Sequence, residues 1–111
     1  MPVTLLKSSR KDKKYMIKYQ NKTTHFGASS FKDYTLMNNK SSQFYEPDKD
    51  KREKTKKNYQ SRHKNDNLKN PYSAGALAFY LLWNLPTLSA SIKDFEKRFN
   101  IDIVNKTSAP P

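Results

Sequence analysis

Cysteine is absent from the chain, which excludes a disulfide framework and any thiolate metal site, two staples that small folds use in place of a large core. Glycine occurs only twice, as Gly27 and Gly75, far too sparsely for a phosphate-cradling loop. Histidine also occurs only twice. His63 and Asp66 have i, i+3 spacing, but two ligands do not make a zinc site, so neither a metal nor a cofactor is expected. Apolar residues make up 34% of the 111, below the roughly 45–50% of a typical globular chain, and the core must be small. The longest run of apolar residues and glycine covers residues 74–83, about half of the roughly 20 that cross a bilayer, and no transmembrane segment is expected. At the N-terminus the apolar residues precede the basic ones, the reverse of a secretory signal. The chain is expected to stay in the compartment where it is made.

Positive charge is abundant. There are 22 Lys and Arg against 10 Asp and Glu, a net charge of +12. It is unevenly placed: residues 1–69 carry 18 basic and 7 acidic side chains, while residues 70–111 carry 4 and 3, so the two parts do different work. Seven Tyr, six Phe and one Trp are too many for a chain disordered throughout. The length fits one domain.

Residues 14–19 alternate, with Tyr15, Ile17 and Tyr19 on one face and Lys14, Met16 and Lys18 on the other, the pattern of a half-buried strand. Residues 22–26, with β-branched Thr23 and Thr24, predict a second strand and a hairpin turning near Asn21. Residues 3–7 offer a third strand. Gly27 permits a positive φ or a close backbone approach where the second strand ends, and Phe31 and Tyr34 are placed to cover the sheet. Pro47 suits the first turn of a helix over residues 48–63, with Asp48 and Asp50 near its positive end. That helix has no broad apolar stripe and carries Tyr59 as its one large hydrophobic group, so it is solvent-bridging or unstable alone.

Residues 73–83 predict a helix apolar all round: Ala74, Leu77, Ala78, Leu81 and Leu82 follow one stripe, and Ala76, Phe79, Tyr80 and Trp83 form a second. Asn84 and Pro86 end it. A last helix over residues 88–99 shows Leu88, Ile92, Phe95 and Phe99 on one face, with Ser91 and Asp94 approximating a capping box. Residues 101–104 predict a short strand. The expected fold class is α+β: a small antiparallel hairpin or three-stranded sheet packed on two to three short helices. Residues 1–13 are expected as a flexible basic arm or edge strand, 14–104 as one domain, and 105–111 as a tail.

Lys14-Tyr15, His25-Phe26-Gly27, Asp33-Tyr34-Thr35, Tyr59 with Arg62-His63, Asn70-Pro71, Ala74-Gly75, and Leu81-Leu82-Trp83-Asn84 followed by Pro86-Thr87-Leu88 and Ser91-Ile92 stand in an order that resembles one family. It is a family of small basic proteins of unknown function encoded by large nucleocytoplasmic DNA viruses. The likeness spans roughly residues 13–98, and the Leu-Leu-Trp-Asn-x-Pro-Thr-Leu stretch is its most specific part. The chain departs from it at Phe79-Tyr80, where the family often has an Arg-Trp pair. The resemblance implies a viral, virion-associated protein with no assigned catalytic residues, located in the capsid and made in the host cytoplasm or virus factory.

Two surfaces carry the functional expectations. Phe79, Tyr80, Leu81, Leu82 and Trp83 are either core or a docking seam for a capsid protein, since helix-in-groove contacts use this kind of anchor set. An interfacial membrane helix fits less well, because this segment has no polar face to keep in water. Lys49, Lys51, Arg52, Lys54, Lys56, Lys57, Arg62 and Lys64 form a basic patch, interleaved with Asp48, Asp50 and Glu53. Phosphate contacts by such a patch give salt-sensitive, sequence-independent affinity. Lys outnumbers Arg 18 to 4, and a point charge lacks the fork that reads guanine edges.

The expected function is a minor capsid or cement protein bridging capsid components, with non-specific nucleic-acid binding for genome packaging as the alternative. A two-histidine nuclease, with Lys64 or Lys22 assisting, requires His25 and His63 to converge, and no enzymatic activity is expected.

Overall fold

The computed structural model describes residues 2–107. Lysine, tyrosine and β-branched residues in alternation set the first quarter of the chain into strands. These are β1 (Val3–Lys7), β2 (Lys13–Tyr19) and β3 (Lys22–Ala28), and a late strand, β4 (Ile103–Asn105), completes a sheet of order β3-β2-β1-β4. β2 pairs antiparallel with both neighbours, in registers that place Leu5 opposite Ile17 and Tyr15 opposite Phe26. β1 and β4 run parallel, Val3 opposite Ile103. The fold is α+β, with a four-stranded mixed sheet and short helices.

The hairpin turns at Gln20-Asn21 as expected, with Gln20 at φ 54°. The terminal segments differ from expectation. β1 is an interior strand rather than an arm or edge, because Val3 and Leu5 are buried and β4 covers its outer side. Asn105 belongs to β4, Lys106 donates its N–H to the Leu5 carbonyl at 2.8 Å, and Thr107 is buried. The tail expected over 105–111 is thus part of the fold through 107, and residues 108–111 lie outside the described residues.

The helices follow from their caps. Asp33 caps α1 (Tyr34–Met37), accepting from the Leu36 N–H at 3.0 Å, while its other carboxylate oxygen takes the Lys14 ammonium at 2.7 Å. Asp33 is 1% exposed, so one buried carboxylate ties β2 to α1. Asp48 caps α2 (Lys49–His63), accepting from Asp50 and Lys51. Ser73 caps α3 (Ala74–Leu77), which runs directly into a π-helical segment, Ala78–Leu82. Leu81 and Leu82 at the end of this wider i→i+5 turn, and Trp83 just after it, are all buried.

Thr87, not Ser91, caps α4 (Leu88–Phe99), and Asn100 closes it in the left-handed conformation. Ser91 is fully buried and its hydroxyl accepts from the Leu85 N–H at 3.2 Å, while Asn84 bonds the Asp94 carboxylate at 2.8 Å. The distinctive stretch at residues 81–92 is thereby a structural corner: Leu81, Leu82, Trp83 and Ile92 fill the core, and Asn84, Thr87 and Ser91 fix the turn between two helices. Leu5, Ile17 and Phe26 from the sheet, Met37 from α1 and Phe95 from α4 complete that core. Each such fully buried side chain stabilises by about 1.5–3 kcal/mol.

Candidate functional site

α2 has a mean composition too polar to bury any residue, and none of its side chains is fully buried. It is nevertheless docked along one side. Arg52 donates to the Glu46 carbonyl at 2.6 Å, Tyr34 donates its hydroxyl to Glu53, the Lys56 ammonium sits 4.6 Å from the Tyr34 ring centroid, and Gln60 donates to the Trp83 carbonyl at 3.0 Å. Burial, and then the Glu53 carboxylate, push the Tyr34 phenol up from its ordinary pKa. This divides the basic patch. Arg52 and Lys56 are half-buried and hold the helix to the body, whereas Lys49, Lys51, Lys54, Lys57, Arg62 and Lys64 are exposed.

The docking segment is placed differently from a free surface. Leu81 and Leu82 are at most 1% exposed and Trp83 is 7% exposed, all within the chain's own core. Their burial area is used in folding. Phe79 and Tyr80 are half-buried: Phe79 packs at a tilt 6.4 Å from Tyr59, and Tyr80 lies edge-on to Phe99 with the Arg98 guanidinium over its ring at 4.6 Å.

Between α2, the end of β3 and the start of α3 lies a groove of about 580 Å³, within the roughly 300–1,000 Å³ of ligand-sized clefts. Its base comes from Phe26, Gly27, Ala78, Leu82 and Trp83; one wall from Thr55, Tyr59, Arg62 and His63 of α2; the rim from Lys13, Lys14, Phe31 and Lys32. Both glycines line it. Gly27 has φ +79°, and a Cβ there would meet Leu82 Cδ1 at 2.7 Å, so the conformation and the close approach expected at this position are both present. Gly75 lets Asp66 approach α3, since a Cβ would stand 3.2 Å from the Asp66 Cβ.

Tyr59 anchors the groove wall. Its ring stacks 4.2 Å from Trp83 at 6° and 4.2 Å from His63 at 26°. Burial, with the Asp66 carboxylate adding to it and Arg62 opposing, pushes its phenol up to about 12, so it is neutral at physiological pH. His63 Nδ1 and Asp66 Oδ2 are 2.8 Å apart. His25 is not part of this groove, and its Nδ1 lies 2.7 Å from the Ser8 hydroxyl. The two histidines therefore do not converge, and the acid/base pair that a two-histidine nuclease requires is not assembled. Among the described residues no group of three or more His, Asp or Glu side chains is placed to hold a metal, and no helix is long and apolar enough to cross a membrane.

The groove draws on segments far apart in sequence, and sequence reasoning missed it. Of its lining, Arg62, Leu82 and Trp83 are candidate residues of the two expected surfaces and Gly27 an expected close approach, but nothing in the sequence joins them; Phe31, expected to cover the sheet, stands exposed at the rim instead, beside Lys13 and Lys32.

Comparison with known proteins finds a match only in the N-terminal part of the chain. A family of unknown function (DUF5754) matches residues 3–45, which covers β1, β2, β3, α1 and the groove rim. No curated protein matches the chain, and no solved structure does.

Proposed function

We propose that this protein is a binding module, not a catalyst, and that it binds nucleic acid without sequence preference through the outward face of α2. The observation that carries the reading is the division of α2: Arg52, Lys56 and Tyr59 face the body, and Lys51, Lys54 and Lys57, with Lys64 at the C-cap, face solvent. Cations held in a row on a rigid helix release counterions when they meet phosphates, which gives affinity that falls steeply with salt. Lysine heads supply charge rather than base readout, in keeping with a packaging role.

The experiment is a salt titration of oligonucleotide affinity for the wild type and for a variant with Lys51, Lys54, Lys57 and Lys64 changed to Glu. The slope of log K against log salt flattens by about 3–4 in the variant if all four meet phosphates. An unchanged slope sinks the assignment.

A second reading is a cement protein of a large DNA virus, bridging capsid components, which the family resemblance suggests. Phe79 and Tyr80, half-buried, retain contact surface for a protein partner, and the same lysines would meet acidic capsid surfaces. Under this reading the protein remains with the capsid fraction of purified virions after nuclease treatment. Under the first it leaves with the genome and is released by salt.

A further inference from the structure

The groove below α2 places rings and cations together in a way that the outward lysines do not, and the inference drawn from it rests on the nucleic-acid reading above. Phe31 stands at the rim and is 69% exposed. A phenyl ring on a folded surface that the core does not use is a ready stacking platform. Lys13, Lys32 and Arg62 border the same groove. Lys14 does too, but its ammonium is committed to the buried Asp33 at 2.7 Å. The one carboxylate on the lining, Asp66, is engaged by His63 at 2.8 Å. The groove thus offers an exposed aromatic face and net positive charge above an apolar base, and it adjoins the basic face of α2 through Arg62.

We propose that this groove seats an unpaired nucleobase stacked on Phe31, with Lys13, Lys32 and Arg62 on the flanking phosphates, so that the protein prefers single-stranded to double-stranded nucleic acid. Charge complementarity selects a polyanion, and the ring selects one whose bases are free to leave the stack. In a duplex the base faces are already stacked and only edges and backbone are presented, so a duplex meets the lysines of α2 and leaves the groove empty.

Fluorescence anisotropy at one salt concentration tests this, using a labelled single strand and a duplex of the same sequence, with the wild type and Phe31→Ala. Because Phe31 is exposed, its removal leaves the fold intact, which circular dichroism checks. The wild type is expected to bind the single strand about 10-fold more tightly, and Phe31→Ala to lose roughly 5- to 100-fold on the single strand, the range that one base stack provides, with duplex affinity unchanged. Trp83, the chain's one tryptophan, lines the groove, and its emission is expected to change with the single strand and not with the duplex. Equal wild-type affinity for the two forms, or an equal loss on both in Phe31→Ala, overturns the groove assignment while leaving charge-driven binding in place. Failure of the wild type to bind either form at low salt overturns the nucleic-acid reading and this inference with it.

Discussion

Two helical segments divide the work of this small protein. Residues 74–83 are apolar on every side and are largely consumed by the core, with Leu77, Leu81, Leu82 and Trp83 all buried. α2 is polar on nearly every side, buries no residue, and is held by hydrogen bonds, one cation over a ring and the stack of Tyr59 on Trp83. A chain with only 34% apolar residues has little to spare for an exposed docking seam, so its most hydrophobic segment becomes the inside and its most charged segment stays at the surface.

The contrast can be broken from either side. Leu81→Ala leaves a cavity against the sheet and is expected to cost about 2–5 kcal/mol, read as a lowered urea midpoint. Gly27→Ala pushes a methyl into Leu82 and strains a positive φ, at about 2–3 kcal/mol. Tyr59→Ala removes the ring that stacks on Trp83 and packs on Phe79, leaving the Gln60 hydrogen bond to the Trp83 carbonyl between the two segments. It is expected to cost about 1–3 kcal/mol and to increase amide exchange along α2 more than along α4.

The Tyr59 phenol supplies a pH test. Its pKa is raised from 10.0 to about 12 in the fold, so the folded state holds a proton that the unfolded chain loses first. That contribution is complete below pH 10 and is lost as pH rises through about 12. Alkaline denaturation is expected to be shallower over this window in Tyr59→Phe than in the wild type. The smallest effect on stability belongs to the Lys51, Lys54, Lys57 and Lys64 to Glu variant, within about 0.5 kcal/mol per site as exposed positions allow, although its binding defect is expected to be the largest of all.

Much of this fold was legible locally. Alternation in residues 14–19 gave β2, Asp48 behind Pro47 gave the start of α2, and the stripe of Leu88, Ile92, Phe95 and Phe99 gave α4, because each signal lies within one or two turns of chain. The interior position of β1 was not legible, since the strand that covers it, β4, begins nearly a hundred residues later. The π-helical turn was not legible, because a segment apolar on every side gives no stripe whose phase could show the change from i→i+4 to i→i+5 bonding. Thr87 displaced Ser91 as the cap of α4 because the Ser91 hydroxyl is needed by the Leu85 N–H. The groove was invisible for the same reason as the sheet order: its residues are contributed by β2, β3 and the loop after it, α2, α3 and the π-helical segment, and the motifs some of them belong to do not say that these segments meet.

Lysine acetylation footprinting, with and without a single-stranded oligonucleotide at low salt, tests the division most directly. Lys93 and Lys97, exposed on α4, serve as the internal reference. Protection of Lys51, Lys54, Lys57 and Lys64, with Lys93 and Lys97 labelled as before, is the predicted result. Equal protection of both sets, or protection confined to α4, would contradict the assignment of α2 as the binding face.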